Sequence, residues 1–294
     1  MAGPAEIRHH IAAVEQTKKI TGAMELVSST RMKRVMRHIE HNRRYFDNVQ
    51  RTMKELLITS QNVSHPYLCD TCGDGGEHHC TFIVISGDKG LCGAFNHNIL
   101  RLALDSIKLF KQHSIITIGN TAEEFFRKHD MTPDIALLGI AQDPSLSKAR
   151  VLVREVMDLF DSGHTEEVRI VFTSFYGKTK NTPVVRRLLP ILLDDYSDIS
   201  NIETLPEIMY HPSRQEVFDL LVPQYILGIL FGVMVQAYAS EHFARMNAMH
   251  SATTNAQDML KGLRIKFNMA RQRDITNEIA EITGAAEILR QESV

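Results

Sequence analysis

The two ends of the chain are long segments in which proline, the residue that most disrupts a helix, is nearly absent. No proline follows Pro4 until after Ile58, and Pro223 is the single proline between Ser213 and Leu289. Proline inside a helix removes a hydrogen bond and clashes with the preceding turn, whereas the Glu, Lys, Met and Leu that fill these segments favour helix. We therefore predict one helix from Pro4 to about Ile58 and a second that Ser213 caps and that runs to about Leu289.

Helices of these lengths need a partner outside a single globular domain. At 1.5 Å per residue the first would extend about 80 Å and the second about 110 Å, and most helix stability comes from packing an apolar face. Apolar residues recur at steps of three and four in the first segment, which gives one apolar stripe. We predict that the two segments pair as an antiparallel coiled coil. Small residues that would let a partner helix approach closely lie at steps of about four in the second segment: Ala237, Ala244, Ala248, Ala252 and Ala256.

The middle of the chain alternates β-rich runs with helical stretches, a pattern typical of a mostly parallel sheet. The predicted fold class is therefore α/β: a long antiparallel coiled coil of N- and C-terminal helices with an inserted Rossmann-like, mostly parallel α/β domain. Thr182–Leu193 contains two prolines and is predicted to be an edge strand or a loop. The predicted strands are Thr81–Ser86, Ile115–Gly119, Asp134–Ile140 and Val168–Phe175, and the predicted helices between them include Ala94–His113 and Ser145–Ser162.

This pattern divides the chain into four predicted segments: a terminal helix over 1–60, a Cys/His-rich loop over 61–80, the α/β domain over 81–209 and a second terminal helix over 210–294. The net charge of −2 over 294 residues argues against a protein built as a whole to coat nucleic acid or anionic lipid. Residues 1–55, with 11 Lys or Arg against 6 Asp or Glu, are locally basic. We interpret this charge as a solvated or partner-facing stripe, with no nucleic acid as partner.

The cysteines and the first residues bear on the compartment. Met1–His10 lacks the apolar run of a signal peptide, and three of the four cysteines fall between Cys69 and Cys80, which is not the spread of a secreted disulfide framework. We expect a cytoplasmic, reducing compartment. Val217–Ala239 approaches the length of a membrane span, about 20 residues, but Pro223 interrupts it. We interpret this stretch as a helix buried in protein rather than a membrane span.

A glycine-rich loop, Ile85–Asn96, follows a predicted strand and leads into a predicted helix, the place where a phosphate-binding loop would lie. Its glycine spacing fits neither the P-loop nor the dinucleotide fingerprint, since Lys89 is followed by Gly90 rather than by Ser or Thr. A tight turn before a helix is the favoured interpretation, and nucleotide binding is the alternative.

Three cysteines and two histidines lie within a short stretch between the first terminal helix and the first strand. They are Cys69, Cys72, His78, His79 and Cys80, a set able to form a tetrahedral zinc site. A flexible loop of unpaired thiols or a redox pair fits the same residues. We therefore assign no metal ligand and no cofactor from the sequence. No His-Glu-x-x-His or Gly-x-Ser-x-Gly pattern accompanies these residues.

Four blocks of the sequence together resemble one known family. Residues 17–29 read TKKITGAMELVSS, 87–96 read GDKGLCGAFN, 239–249 read ASEHFARMNAM and 268–279 read NMARQRDITNEI. In this order they resemble the signatures of the gamma subunit of F-type ATP synthase, over the whole chain. The motif residues of the second block are Gly87, Asp88, Lys89, Gly90, Cys92, Gly93 and Asn96. The sequence departs from the family at Gly22, where a lysine is usual, and in the Cys69–Cys80 loop.

The resemblance implies a rotating central stalk with no catalytic residues of its own. Its partners would be the alpha and beta subunits that form a ring, the epsilon subunit and the membrane c-ring, at the cytoplasmic face of the cell membrane. Ion flow, of protons or sodium ions, would turn it and drive conformational cycling of the beta subunits. By the same resemblance, residues that contact the beta subunits are Lys18, Met24 and Val27 on the first helix and Arg271, Gln272, Thr276 and Glu278 on the second. For Met24 and Val27, packing inside the coiled coil is the alternative.

Two hypotheses from different classes follow. The first is the rotor subunit. The second is a free-standing α/β protein that binds zinc or a nucleotide. A rotor subunit should behave poorly in isolation, because its long Met- and Ala-rich helix faces would be enclosed by a ring, whereas a self-contained enzyme should be monodisperse and bind a ligand.

Overall fold

The computed structural model describes residues 3–59, 66–68, 77–175, 181–191, 211 and 213–291. Its contacts divide the chain into two compact units. We call residues 1–27 and 246–294 the helical unit and residues 28–245 the α/β unit. Both boundaries fall inside the two long helices, so each of these helices contributes to both units.

The two predicted terminal helices are present. Helix α1 spans Pro4–Thr59 and helix α5 spans Arg214–Gln291. The predicted cap is also present, because the Ser213 hydroxyl accepts a hydrogen bond from the Glu216 amide at 3.2 Å and donates one to the Glu216 carboxylate at 3.0 Å. This reciprocal pair satisfies an amide that the first helical turn leaves without a partner. Pro223 lies inside α5 without ending it.

In the helical unit α1 and α5 pack against each other in antiparallel fashion. The Thr253 hydroxyl donates to the Thr21 hydroxyl at 2.8 Å, and Arg264 donates to the Glu15 carboxylate at 2.9 Å. The Arg8 guanidinium lies 5.5 Å from the centre of the Phe267 ring. Residue numbers fall along α1 as they rise along α5, which confirms the predicted direction. A small apolar cluster of Val14, Ala256 and Leu260 is buried between the helices.

The α/β unit is built on a five-stranded sheet with the strand order β3-β2-β1-β4-β5. Strands β1 to β4 are mutually parallel and β5 is antiparallel to β4. The predicted mostly parallel sheet is therefore confirmed, and the described part of Thr182–Leu193 contributes an edge strand, the position in a sheet at which proline is tolerated. The strands are β1 (His79–Ile85), β2 (Gln112–Ile118), β3 (Ile135–Leu137), β4 (Glu167–Phe175) and β5 (Asn181–Leu189), and the helices between them are α2 (Phe95–Ile107), α3 (Asn120–Lys128) and α4 (Leu146–Asp161).

The prediction of a helix over Ala94–His113 is wrong in its last part. Helix α2 ends at Ile107, and strand β2 begins at Gln112. The first two residues of β2 are polar and exposed, so neither alternation nor an apolar run marks its start. Helix α3 was not predicted. It is only nine residues long and buries just Ala122 and Phe126, which is too little pattern to distinguish it from a turn.

Each face of the sheet packs against different helices. One face places Phe82 and Val84 with Ile99 and Phe126 of α2 and α3. The other face places Ile83 and Ile85 in one apolar cluster with residues of α4 and of the first half of α5.

The apolar stretch of α5 belongs to this second core. Val222, Ile226 and Leu230 are fully buried there. Among the described residues one helix is long and apolar enough to cross a membrane by length and composition, and 61% of its most apolar window is buried inside the protein. Burial against the sheet therefore accounts for its composition.

Candidate functional site

The loop that joins β1 to α2 lies at the point where the strand order of the sheet reverses. From β1 the chain proceeds to β2 and β3 on one side, and it returns to β4 on the other side. Sheets of this class bind ligands in the crevice outside the carboxyl ends of the strands at this point. We call the space between the ends of β1 and β4 the switch-point crevice.

Helix α5 fills the switch-point crevice. The Ser240 hydroxyl donates to the Thr173 carbonyl at the end of β4 at 3.2 Å. The Gln236 side-chain oxygen accepts from the Ser174 hydroxyl at 3.2 Å and from the Phe175 amide at 3.5 Å. The space in which such a fold takes a ligand is therefore occupied by the chain's own helix.

A carboxylate rather than an open anion site faces the glycine-rich loop. A Cβ atom at Gly87 would lie 3.0 Å from the side-chain carbon Cδ of Glu241, so any other residue would push the Glu241 side chain away by a few tenths of an ångström. The Glu241 carboxylate, which is paired with the Arg245 guanidinium, occupies the space beside Gly87. These contacts favour the tight-turn interpretation of the loop over the nucleotide-binding alternative.

The polar groups inside the loop bind one another. The Asn96 side-chain oxygen accepts from the Gly87 amide at 2.9 Å, and its amide group donates to the Lys89 carbonyl at 3.5 Å and to the Cys92 sulfur at 3.4 Å. Burial raises the pKa of the Cys92 thiol. Outside the loop core, the Asp88 carboxylate accepts from the Asn120 amide at 3.0 Å. Asn96 thus holds the turn in one shape from within.

Arg245 of α5 holds the same loop from outside. Its guanidinium donates to the Gly90 carbonyl at 3.2 and 3.3 Å and to the Lys89 carbonyl at 3.1 Å. The same guanidinium forms an ion pair with Glu241, one turn earlier on α5, at 2.6 Å. Burial raises the pKa of Glu241, and the Arg245 charge opposes that shift. These contacts join two sequence blocks more than 150 residues apart.

A third titratable group, His242, lies beside this ion pair. Its Nδ1 atom is 3.5 Å from Arg245, and its ring packs edge-on against Tyr238 with the ring centres 4.4 Å apart. Burial, followed by the positive charges of Arg245 and Arg31, lowers the pKa of His242 to about 4. The imidazole is therefore neutral at physiological pH, and its Nδ1 can accept from the guanidinium. Sequence reasoning did not single out Gln236, Ser240, Glu241 or Arg245, although the last three lie in a block that carries the family resemblance.

The Cys/His cluster does not assemble a metal site among the described residues, where no group of three or more His, Cys, Asp or Glu could hold an ion. Cys80 is fully buried in the sheet core, and burial raises its pKa well above the usual range of a thiol. His78 binds the buried Glu167 carboxylate at 2.7 Å, and Glu167 also pairs with Arg169 at 2.6 Å. Cys69 and Cys72 lie outside the described residues, so a zinc or redox role for that pair stays a prediction.

The seven residues predicted to contact the beta subunits all lie in the helical unit. On α1, Lys18 and Met24 are half-buried and Val27 is 51% exposed. The four residues on α5 are exposed: Arg271, Gln272, Thr276 and Glu278.

Large apolar side chains surround these positions on the surface of the helical unit. On α1 they include Ile20 and Leu26, the latter 70% exposed. Exposed isoleucines and methionines continue along α5: Met259, Ile265, Met269, Ile275, Ile279 and Ile282. Exposed apolar side chains that recur along both helices are what an interaction surface presents.

A groove of about 660 Å³ lies between the helices of this unit. Lys18, Lys19, Lys261 and Arg264 line it, together with Gly22. A Cβ atom at Gly22 would meet nothing within 4 Å, so the glycine that departs from the family pattern leaves this groove open. The groove is positively charged, with Glu15 as the acidic residue of its lining.

Known proteins resemble this chain over nearly its full length. A family model described as ATP synthase matches residues 4–289. The ATP synthase gamma chain of Acetivibrio thermocellus is 33% identical over 296 residues, which is 99% of this chain and 100% of the relative. The ATP synthase gamma chain of Alkaliphilus metalliredigens is 35% identical over 292 residues, which is 98% of this chain and 99% of the relative.

Solved structures share the fold at lower sequence identity. A chain of the Euglena gracilis mitochondrial ATP synthase, from its OSCP, F1 and c-ring assembly, aligns with a TM-score of 0.67 and 16% identity over 97% of this chain and 94% of its own length. A chain of the Tetrahymena thermophila mitochondrial ATP synthase, from its central stalk and c-ring, aligns with a TM-score of 0.57 and 21% identity over 79% of this chain and 99% of its own length. At these identities the likeness establishes the fold.

Proposed function

This chain belongs to the gamma-chain family of ATP synthase, and from that premise we propose that its helical unit turns inside a ring of alpha and beta subunits while its α/β unit engages the epsilon subunit and the membrane c-ring. As a gamma chain it is the central rotor stalk of the F1 sector, and it is a non-catalytic subunit of the enzyme. The catalytic sites belong to other chains.

The observation that carries the proposal is the exposed apolar surface of the helical unit. Ile275, Ile279 and Ile282 of α5 are 44, 61 and 71% exposed. Leaving such side chains in water costs about 25 cal/mol for every Å² of apolar surface. An apolar sleeve around the helices would remove this cost. A ring of subunits would supply one and still allow rotation, because apolar contact has no preferred direction.

The residues of the same unit that are predicted to contact the beta subunits would give the rotor its angular preference. Lys18, Met24 and Val27 would meet the moving carboxy-terminal regions of the beta subunits. Arg271, Gln272, Thr276 and Glu278 would meet beta-subunit loops. Because the surface of an α1–α5 pair differs around its circumference, it presents different contacts to three identical subunits and favours a different conformation in each.

Coupling to ion flow would take place where the α/β unit engages the c-ring. Flow of protons or sodium ions through the c-ring would turn the chain and drive ATP synthesis in the beta subunits, and ATP hydrolysis would turn it backwards. The complex would sit at the cytoplasmic face of the cell membrane, with this chain as a peripheral subunit.

Site-specific cross-linking tests the proposal in the complete complex. A photoreactive amino acid is placed at Val27 or at Thr276, and the tagged complex is purified from native membranes and illuminated. We expect both positions to cross-link to beta subunits. Illumination should also stop ATP hydrolysis, because a rotor joined to its ring cannot turn.

A matched control places the same photoreactive amino acid at Arg150, an exposed residue of α4 in the α/β unit. It should not join the beta subunits, and hydrolysis should continue after illumination. Recovery of the tagged chain without alpha and beta subunits, or cross-links at Val27 and Thr276 that leave turnover intact, would contradict the proposal.

A further inference from the structure

The α/β unit grips helix α5 by two kinds of contact that resist different motions. Val222, Ile226 and Leu230 pack into the apolar core beside the sheet. Apolar packing opposes separation of the helix from the sheet, but it is non-directional and gives little resistance to sliding or to rotation about the helix axis. A load along or around α5 must therefore be carried by contacts with direction, which are hydrogen bonds and ion pairs.

The directional contacts converge on the end of the α/β unit, in the switch-point crevice. Gln236 and Ser240 bind the ends of β4. Arg245 binds the loop that follows β1 through the Lys89 and Gly90 carbonyls. Helix α5 is thus pinned to two neighbouring strands of the sheet on opposite sides of the crevice.

Of the contacts made by Gln236, Ser240 and Arg245, those of Arg245 are the strongest. Its guanidinium joins two loop carbonyls and the Glu241 carboxylate at once, and hydrogen bonds with a charged partner are roughly twice as strong as neutral ones. Arg245 and Glu241 are 7% and 8% exposed, so salt and water screen this pair little. A planar guanidinium can hold three acceptors in fixed directions, which an ammonium group cannot do.

The loop that Arg245 holds is itself rigid. Asn96 braces it from within, and the Ser86 amide at its start donates to the Ile118 carbonyl at 2.8 Å. A displacement of Arg245 is therefore passed to β1 and β2 rather than absorbed by the loop.

We propose that Arg245, held in place by Glu241, is the positioning residue that locks helix α5 to the α/β unit and so transmits load between them during rotation. The inference rests on the proposed function, in which the α/β unit receives torque from the c-ring. It assigns a mechanical role to a contact inside the chain, apart from any contact with a neighbouring subunit.

The test compares two activities of the complete complex in sealed vesicles, ATP hydrolysis and ATP-driven ion pumping. In Arg245→Met the helix keeps its shape but loses every directional contact of this residue. We expect hydrolysis per assembled complex to stay within about twofold, while pumping falls by about tenfold or more, since loss of a charged hydrogen bond changes an equilibrium by at least that factor.

Two milder variants, Arg245→Lys and Glu241→Gln, should lower the ratio of pumping to hydrolysis by intermediate amounts. A lysine can reach one carbonyl without spanning all three acceptors, so its pumping-to-hydrolysis ratio should lie between those of the unchanged chain and Arg245→Met. Glu241→Gln keeps an acceptor for Arg245 but removes the charge, and it should lower the ratio by a smaller amount. Arg150→Met, an exposed charge removed from the same unit, should leave both activities unchanged.

The outcomes separate the mechanical role from a structural one. If Arg245 only stabilises the fold, the variants will lower the amount of assembled complex and leave the ratio per complex unchanged, which overturns the inference. If Arg245→Met does not assemble, the ratios of Arg245→Lys and Glu241→Gln decide in the same way. Failure of the proposed function would be seen without any substitution at Arg245. The complex with the natural residues at 241 and 245 would then hydrolyse ATP without pumping ions, and a photoreactive residue at Val27 would not cross-link to beta subunits.

Discussion

A buried histidine beside two cationic side chains gives this protein a local sensitivity to acid. His242 is neutral in the folded chain because burial, Arg245 and Arg31 lower its pKa from 6.5 to about 4. When the segment opens, the imidazole regains its ordinary pKa. Below pH 6.5 the open state then takes up a proton that the folded state refuses, so folding is favoured fully above that pH and progressively less as the pH falls toward 4.

We therefore predict that acid favours opening of the α5 turns around His242 in the α/β unit. The substitution His242→Asn should abolish the part of this pH dependence that comes from the imidazole. The opening free energy of residues 236–245 should fall by up to about 1.4 kcal/mol per pH unit below pH 6.5 because of this one group. Hydrogen exchange of these amides in the assembled complex measures it, after correction for the intrinsic pH dependence of exchange.

The difference between the unchanged chain and His242→Asn carries this test. Burial raises the pKa of the neighbouring Glu241, and that shift acts in the opposite direction, because a folded state that holds its proton more tightly gains stability in acid. Both chains contain Glu241, so its contribution cancels. Equal pH dependence of the two chains would contradict the assignment of the acid sensitivity to His242.

At the scale of whole elements, the pairing of α1 with α5 inside the α/β unit depends on one glycine. A Cβ atom at Gly228 would lie 2.5 Å from the Cδ1 atom of Phe46. Phe46 also packs against Phe231, with the ring centres 5.8 Å apart, so the ring has little room to move away. One turn later Gly232 has nothing within 4 Å of the same position.

These two glycines give a matched pair of substitutions. Gly228→Ala should destabilise the chain by about 1–3 kcal/mol, the usual cost of overpacking a core, in spite of the better helix propensity of alanine. Gly232→Ala should stabilise it by up to about 1 kcal/mol, because it gains that propensity without a clash. The assembled complex is titrated with urea, and release of this chain is monitored. The urea midpoints of the Gly228→Ala and Gly232→Ala complexes are then compared. Similar shifts for both variants would show that Phe46 moves aside freely.

Long, periodic elements were predictable from the sequence because they carry many repeated signals. Both terminal helices and the edge position of β5 follow from proline placement and apolar spacing. Helix α3 and the polar start of β2 carry too few buried residues to leave a pattern. Pro223 shows the opposite limit, since α5 continues through it. Packing of the apolar stretch around it against the sheet outweighs the cost of the lost hydrogen bond, about 3 kcal/mol.

The candidate site was predictable only in part, since its contacts join distant blocks. The sequence placed the glycine-rich loop between a strand and a helix, where it is. It did not reveal that Arg245 would bind the Lys89 and Gly90 carbonyls, because backbone carbonyls are present at every residue and leave no signature. The seven predicted contact residues of the helical unit stay predictions, because their partners belong to other chains.

At the scale of the whole molecule, the chain carries surface that only an assembly can cover. Ile275, Ile279 and Ile282 of α5 are 44, 61 and 71% exposed. In a chain on its own they face water, whereas a surrounding ring would bury them. The same three side chains should thus make the isolated chain prone to association and make the assembled complex stable.

Replacing all three by glutamine, which has similar length and good helix propensity, separates these two effects. The isolated variant should stay monodisperse at concentrations at which the unchanged chain associates. Its complex with the ring should release the chain more readily, because each buried isoleucine contributes about 1.5–3 kcal/mol relative to an exposed one. Light scattering measures self-association of the isolated chain, and the rate at which the chain exchanges out of the complex measures how firmly the ring holds it.

Substitution of three exposed polar residues on α4 provides the control for this surface. Arg150, Arg154 and Ser147 are exposed in the α/β unit, and their replacement by glutamine should alter neither association nor exchange. If the isoleucine variant improves the behaviour of the isolated chain but exchanges from the complex no faster, these isoleucines lie outside the ring. The apolar sleeve would then have to cover another part of the helical unit, where Met259, Ile265 and Met269 are the next exposed side chains.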